Sequence, residues 1–485
     1  MTRKQFFGGA TAFAAIGLAG VDAARAAGLA KGRAKLVFGA VSDVHIHGAG
    51  AGRGDASYLR KAFAYYRDRG ADGVVIAGDM ADTGRLSELM QVGEAWNAVF
   101  PDNRGLGGKR VEKLFVYGNH DREGYDWARR RRTRTDRLAD DLAASWRKAF
   151  GEDYDEIRIK EVNGYRFVLN NLLEYPQSGP YADFLARNRR FLTGSRPFFY
   201  VQHYHPRGTC SAPWTWGQDN GRATAALGEF PNAVAFSGHS HTPLSDERTV
   251  WQGAFTSVGT ASLRYLIPFG GRENARVFGS RGDAAREAQM PFLTCADGKH
   301  GQLVSVYDDC LVIERRDFQY DLPLAADWVI PLPFDGSYAF APRALKATVP
   351  EFASGAKVTV SHRLGRNRAG MKTEQTGVAF PNVLKGVRAF DYEVAVECED
   401  VDTVKTLAVK RVYSPGFYRA AEKDIAEVTC AFAPSELAVP RYTDGSGKGP
   451  LKGQFGSRWR FAVRPCNCFG AKGRAIYSPW QGNPM

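Results

Sequence analysis

Five short clusters of side chains able to ligate metal or move protons stand in order along the first half of the 485-residue chain. They are Asp43-Val44-His45, Gly78-Asp79, Gly118-Asn119-His120-Asp121, His203, and Gly238-His239-Ser240-His241. Seven of the nine histidines lie in or beside them, so the imidazoles are gathered for chemistry rather than scattered over a surface. Imidazole and carboxylate ligands together suit zinc, manganese, iron or nickel, whereas calcium and magnesium prefer oxygen on every side. Asp43 and His45, like His239 and His241, are spaced by two, which in extended backbone turns both members of a pair to one face. The set offers ligands for two ions. Taken singly, Gly-Asp carries almost no information, and a lone Asp-x-His or Gly-His-x-His fits a capped turn or a buried histidine. It is the order of all five, each behind an apolar run, that points to one site.

Those runs are the elements that must position the clusters. Lys35 to Ser42 is apolar and β-prone and ends at Asp43. Similar runs follow at Gly73 to Ala77, Leu114 to Tyr117, Phe167 to Leu169, Phe198 to Gln202 and Ala233 to Phe236. Segments of helical composition, such as Tyr58 to Arg69 and Leu138 to Phe150, separate them. Alternation of this kind predicts a layered α/β domain over 35–320, and open α/β sheets place their sites where parallel strands end. Glycines 78, 118 and 238 let the backbone turn sharply beneath the ions. From Phe255 the pattern changes to strands without helices, with a hairpin predicted from Gln302–Tyr307 and Leu311–Arg316 about Asp308-Asp309. Leu263 to Lys299, rich in Gly and Arg, reads as a long inserted loop, a lid or rim. Residues 321–344 read as an extended linker packed on this domain. Residues 345–485 show only strand-like alternation, as in Lys357 to Ser361, Phe390 to Val396 and Arg458 to Val463, which predicts an all-β sandwich.

Composition bounds the rest. With 44% apolar and 24% charged residues the chain is neither disordered nor membrane-embedded in character. Residues 1–26 read as a signal peptide: Arg3 and Lys4, an apolar run from Phe6 to Val21, and small residues ending in Ala24-Arg25-Ala26. Thr2-Arg3-Lys4-Gln5-Phe6-Phe7 resembles a twin-arginine export signal with lysine in the second basic position; an ordinary Sec signal is the alternative. The expectation is an exported protein, periplasmic or secreted, without a transmembrane segment once the signal is removed. The net charge of +13 favours anionic substrates by long-range attraction and says nothing of fold. Seven cysteines are too few for a disulfide-built fold, and an odd number leaves one unpaired.

In their order and spacing the five clusters resemble those of the calcineurin-like metallophosphoesterases, a group with purple acid phosphatases and phosphodiesterases among its members, matched over roughly residues 36 to 318. The resemblance implies a four-layer α/β/β/α sandwich ahead of the C-terminal all-β sandwich. It implies that Asp43, His45 and His241 hold one ion, Asn119, His203 and His239 the other, and that Asp79 bridges them. It implies that His120 stays off the metals and acts as general acid while a metal-bridging hydroxide attacks the phosphoester. Two divalent ions about 3.5 to 4 Å apart suit that reaction, since they acidify water and neutralise phosphoryl oxygens. Trp459 to Asn467, with Gly470 and Ser478, resembles the late strands of fibronectin type III modules.

Softer candidates surround this set. Asp121 either orients the His120 ring or caps a turn. His205 and His47 either contact substrate or support the ligands, and the stretch Pro206 to Arg222, with Trp214, Trp216 and Asn220, is expected to line the substrate pocket. His300 and His362 read as surface residues. The run Arg129-Arg130-Arg131-Arg132 with Arg134 and Arg137 either reaches a phosphate or is a solvated helix face. The reading is therefore a dimetal hydrolase of small or polymer-linked phosphoesters. A nuclease is a narrower version, encouraged by the basic charge but lacking an aromatic-basic module. A binding protein that kept the fold and lost the reaction would be expected to lack Asp79, Asn119 or His120, and all three are present.

Overall fold

The computed structural model describes residues 32–48, 56–122, 142–172, 179–210, 217–268, 294–366, 370–400, 403–422, 425–432 and 458–482. The expected signal peptide, the arginine run at 129–137, Trp214 and Trp216 lie outside them. Two compact units result: described residues up to 343 together with 418–420 form one, and the remainder from 344 onward forms the other.

In the first unit, strands β1 (Leu36–Val41), β2 (Gly73–Ala77) and β3 (Glu112–Val116) pair in parallel, with α1 (Ser57–Asp68) and α2 (Leu86–Val99) on the crossovers. Their residues are nearly all buried, which is why they read as unbroken apolar runs rather than alternating ones. After α3 (Leu142–Phe150) the chain builds a second sheet. An antiparallel hairpin, β4 (Ile157–Val162) and β5 (Tyr165–Asn170), begins it. Past α4 (Gly179–Arg187) and α5 (Arg189–Leu192) come β6 (Phe198–Val201), α6 (Arg222–Leu227), β7 (Ala233–Ser237), β8 (Val250–Gln252) and β9 (Thr256–Gly259), with β5, β6, β7 and β9 parallel. The chain then returns to the first sheet through β10 (His300–Val306), antiparallel to β1, and β11 (Cys310–Asp317), the expected hairpin.

One core lies between the two sheets. Phe38 of β1 packs edge-on against Phe167, Phe199 and Phe236 of the opposite sheet, with ring centroids 5.2, 4.9 and 5.5 Å away. A second core joins the outer face of the first sheet to α1, α2 and α3 through Phe63, Trp96, Phe115 and Trp146. A third joins the second sheet to α4, α5 and α6 through Leu185, Leu192 and Leu227.

Two expectations are revised. Residues 321–344 are more than an extended linker: β12 (Leu322–Pro323) and β13 (Trp328–Pro331) both pair with β11 and widen the first sheet. His300, expected at the surface, is fully buried at the start of β10. Its Nδ1 accepts from Leu244 N at 3.1 Å and its Nε2 donates to Tyr418 O at 2.7 Å, and burial pushes its pKa down to about 3. An imidazole that fills one acceptor and one donor role satisfies both backbone groups while neutral.

Among the described residues, the regular elements of the second unit past its first residues are all strands. A three-stranded sheet comprises β14 (Thr359–Arg366), β15 (Lys372–Pro381) and β18 (Glu427–Phe432). A five-stranded one comprises β16 (Asp391–Asp400), β17 (Thr403–Tyr413), β19 (Arg458–Cys466), β20 (Ile476–Tyr477) and β21 (Gln481–Gly482). Val378, Phe380 and Phe432 of the first meet Tyr392, Val394, Phe461 and Val463 of the second in one apolar core. Among the described residues, no helix is long and apolar enough to cross a membrane.

Candidate metal centre

All five clusters sit just past the C-terminal ends of parallel strands, three from the first sheet and two from the second. Asp43 and His45 follow β1, Asp79 follows β2, Asn119 and His120 follow β3, His203 follows β6, and His239 and His241 follow β7. The turns are stitched to each other by backbone hydrogen bonds, including Asp43 N to Gly78 O at 3.0 Å, Val44 N to Asp79 O at 2.8 Å and Gly238 N to His203 O at 3.0 Å. Extended geometry does not persist into the paired motifs, as their spacing of two had presupposed. Asp43, His45, Asp79, His239 and His241 all adopt positive φ, between 45° and 66°, in the left-handed region that non-glycine residues seldom occupy. Each such residue costs on the order of 1 kcal/mol or more, and the surrounding ladder holds them there. Convergence thus comes from left-handed turns.

The donor atoms meet in two groups. In the first, His241 Nε2 is 3.0 Å from Asp43 Oδ1, and His45 Nε2 is 3.3 Å from His241 Nε2 and 3.8 Å from Asp43 Oδ1. In the second, His203 Nε2 is 3.0 Å from Asn119 Oδ1, 3.1 Å from His239 Nδ1 and 3.1 Å from Asp79 Oδ2. The same Asp79 Oδ2 is 3.8 Å from His45 Nε2 and so faces both groups. Ligands about 2.0–2.2 Å from a zinc-like ion in a tetrahedral array stand roughly 3.4 Å from one another. The groups match that spacing.

The far ring nitrogens fix which lone pairs point inward. His203 Nδ1 donates to Ala77 O at 2.8 Å and His241 Nδ1 to Tyr265 O at 2.9 Å, which turns Nε2 of each ring toward the centre. The Asp43 carboxylate also accepts from His239 N at 3.0 Å and from the Ser42 hydroxyl. Glycines fit the crowding. A Cβ on Gly118 would stand 2.1 Å from Asp79 Oδ1, and one on Gly78, whose φ is +87°, would stand 2.4 Å from His203 Nδ1.

Electrostatics are those of a buried cluster of carboxylates and imidazoles. Burial alone would raise the Asp43 and Asp79 carboxyls, yet His241 beside the first and His203 beside the second hold both low. His203 is raised to about 9 because Asp79 outweighs its burial, while burial and the neighbouring His203 push His239 down to about 2. Metal ions would supply the positive charge that protons otherwise bring to these carboxylates.

The softer candidates separate. His120 is half-buried with its ring edge-on to His45, centroids 4.6 Å apart; its Nδ1 donates to Asp82 O at 2.7 Å and its backbone N to Asp79 Oδ1 at 2.9 Å. Asp121 does not orient that ring. Its Oδ1 accepts from Ala81 N at 2.7 Å and its Oδ2 from Gly118 N at 2.8 Å, so it clamps the β2 and β3 turns together, and burial raises its pKa to about 7. His205 is buried, 2.6 Å from Ser240 Oγ, rather than presented to a substrate. Asn220 is exposed and its side chain accepts from Arg222 N at 3.1 Å, an Asx turn that opens α6. His362 is exposed.

Three neighbours escaped the sequence reading. Tyr265 packs at a tilt against His241 with centroids 4.3 Å apart, and Tyr204 stands edge-on to His239 at 4.4 Å. Tyr204 follows a ligand directly and could have been found; Tyr265 arrives from a loop 24 residues past His241. Asp82, three residues after Asp79, faces His45 Nδ1 at 3.3 Å and His47 Nδ1 at 2.9 Å.

Residues 36–243 match the family model of calcineurin-like phosphoesterases. No curated protein matches the chain. Among solved structures, a dimetal phosphatase from Danio rerio is 13% identical with a TM-score of 0.37, covering 61% of this chain and 99% of its own. A purple acid phosphatase from yellow lupin (Lupinus luteus) is 11% identical with a TM-score of 0.39, covering 61% of this chain and 53% of its own. Vacuolar protein sorting 29 from Cryptosporidium parvum is 11% identical with a TM-score of 0.27, covering 61% of this chain and 96% of its own. Residues 36–243, within the first unit, thus match a calcineurin-like phosphoesterase domain.

Proposed function

We propose that the chain hydrolyses phosphoesters with two divalent transition-metal ions. Asp43, His45 and His241 would hold one ion, Asn119, His203 and His239 the other, and Asp79 would join both. The observation that carries this reading is the position of Asp79 Oδ2, 3.8 Å from His45 Nε2 and 3.1 Å from His203 Nε2, since one carboxylate oxygen shared by two nitrogen-rich groups is what a dinuclear centre requires. When bound, the ions supply an acidified water and neutralise charge on the phosphoryl oxygens. His120, with its Nδ1 anchored on Asp82 O, supplies the proton to the departing alkoxide from Nε2. Tyr204 and Tyr265 pack against ligand rings and restrict their rotation.

Around this centre, the three cores described above support the four-layer reading of the first unit, and the facing sheets of three and five strands support a fibronectin type III-like sandwich in the second. The basic, apolar and small-residue succession of residues 1–26 supports export to the periplasm or beyond. The substrate is a phosphomonoester or phosphodiester, small or polymer-linked. Elemental analysis of the purified protein, with hydrolysis of bis-p-nitrophenyl phosphate set against p-nitrophenyl phosphate, tests the proposal. About two ions per chain and turnover of either ester is the expected result; a chain that takes up no metal after reconstitution would sink it.

A further inference from the structure

Asp82 belongs to none of the five clusters, yet it meets three histidines. The turns after β1 and β2 run side by side, with Ile46 N donating to Met80 O and Asp82 N to Ile46 O, both at 3.0 Å. That ladder sets Asp82 opposite His45 and His47. Oδ1 lies 3.3 Å from His45 Nδ1, Oδ2 lies 2.9 Å from His47 Nδ1, and the carbonyl oxygen accepts from His120 Nδ1 at 2.7 Å. His45 is buried, and its Nδ1 makes no well-aligned hydrogen bond among the described residues, so the Asp82 contact at the long edge of bonding distance is the polar group it faces.

The arrangement is asymmetric. His203 and His241 rest their outer nitrogens on the neutral carbonyls of Ala77 and Tyr265. His45 faces a carboxylate. An imidazole that ligates through Nε2 keeps its hydrogen on Nδ1, and a carboxylate accepting there fixes the tautomer, aims the ring and makes Nε2 a stronger donor to the ion. We propose that Asp82 is a positioning residue serving one ion of the pair: its side chain sets His45 for the Asp43, His45 and His241 site, and its main chain sets His120. The inference rests on the dimetal reading above. It implies that the side chain and the main chain at this position have separable effects, because substitution removes the carboxylate and leaves the carbonyl.

The test is a metal titration of the metal-stripped full-length protein, followed by calorimetry and by the absorption of bound Co²⁺, comparing wild type with Asp82→Asn, Asp82→Ala, His45→Ala and His47→Ala. Wild type should show two binding steps. Asp82→Asn and Asp82→Ala should weaken one of them, about 10- to 100-fold, and it should be the step that His45→Ala abolishes. The other step should stay within about 2-fold, as should both steps in His47→Ala, since His47 lies on the outer oxygen. At saturating metal the kcat of Asp82→Asn should recover to within about 3-fold of wild type because the carbonyl still holds His120. Two wild-type steps that neither Asp82 variant changes would overturn the inference and leave the dimetal reading standing. So would loss of both steps together with a lowered melting temperature, which marks Asp82 as merely structural. A wild type that takes up no ion overturns the dimetal reading, and this inference with it.

Discussion

At the scale of single residues, Asp79 and His120 make opposite demands on an experiment. Asp79→Ala removes the oxygen that faces both ligand groups and leaves His45 and His203 without their shared anion. It should lose bound metal and hydrolysis together, read by elemental analysis and ester turnover on the same sample. His120→Ala touches no expected ligand atom, so metal content should stay at the wild-type level while kcat falls about 10²- to 10⁴-fold, the range of a positioned general acid. A His120 variant that also lost metal would remove the proton-donor role. Asp121 was legible as part of a cluster, with its role left open between the His120 ring and a turn: both oxygens are taken by backbone N–H groups of two different turns, a fact that depends on where Ala81 lies in space.

At the scale of elements, the strand ends are built with no spare volume. Gly118→Ala would press a methyl group to within 2.1 Å of Asp79 Oδ1, so the β3 turn must shift. The expected outcome is weakened metal binding with the far-ultraviolet circular dichroism unchanged. Phe38 is one contact through which the two sheets hold each other, packed edge-on against one ring from each of three strands. Phe38→Ala should cost about 3–5 kcal/mol, the range for a fully buried aromatic ring, measured as a lowered denaturation midpoint. The apolar runs announced every strand that ends in a ligand, because strands buried on both faces need unbroken apolar sequence. β13 was not announced. Its register against β11 is set by Trp328 and Ile330 turning into the inter-sheet core, and the prolines flanking them read as a linker.

For the molecule as a whole, metal and pH are the two levers on stability. Ions that bind the folded chain alone stabilise it by mass action, so stripping metal should lower the melting temperature and adding it back should restore the loss in a concentration-dependent way. Acid should act through His300, whose folded pKa of about 3 lies below the ordinary imidazole value of 6.5 because it is buried. Between those values the unfolded chain binds a proton that the folded chain does not. His300 therefore contributes stability above pH 6.5 that is lost as pH falls toward 3, at up to about 1.4 kcal/mol per pH unit. Urea midpoints of wild type and His300→Gln between pH 4 and 7 check this: the variant should be less stable at neutral pH and should show a shallower decline in acid.

The sequence by itself determined which residues could bind metal, their order, and the α/β character of the domain that carries them. Those are properties of residue type and of periodicity, and both are local. It could not determine how the ligands converge. Spacing by two suggested extended backbone, whereas the chain turns left-handed at Asp43, His45, Asp79, His239 and His241, held by hydrogen bonds between turns far apart in sequence. Nor could it separate His300 from a surface histidine or give Asp82 its three imidazoles. Burial and the pairing of distant turns are properties of the packed chain, and only the tertiary structure decides them.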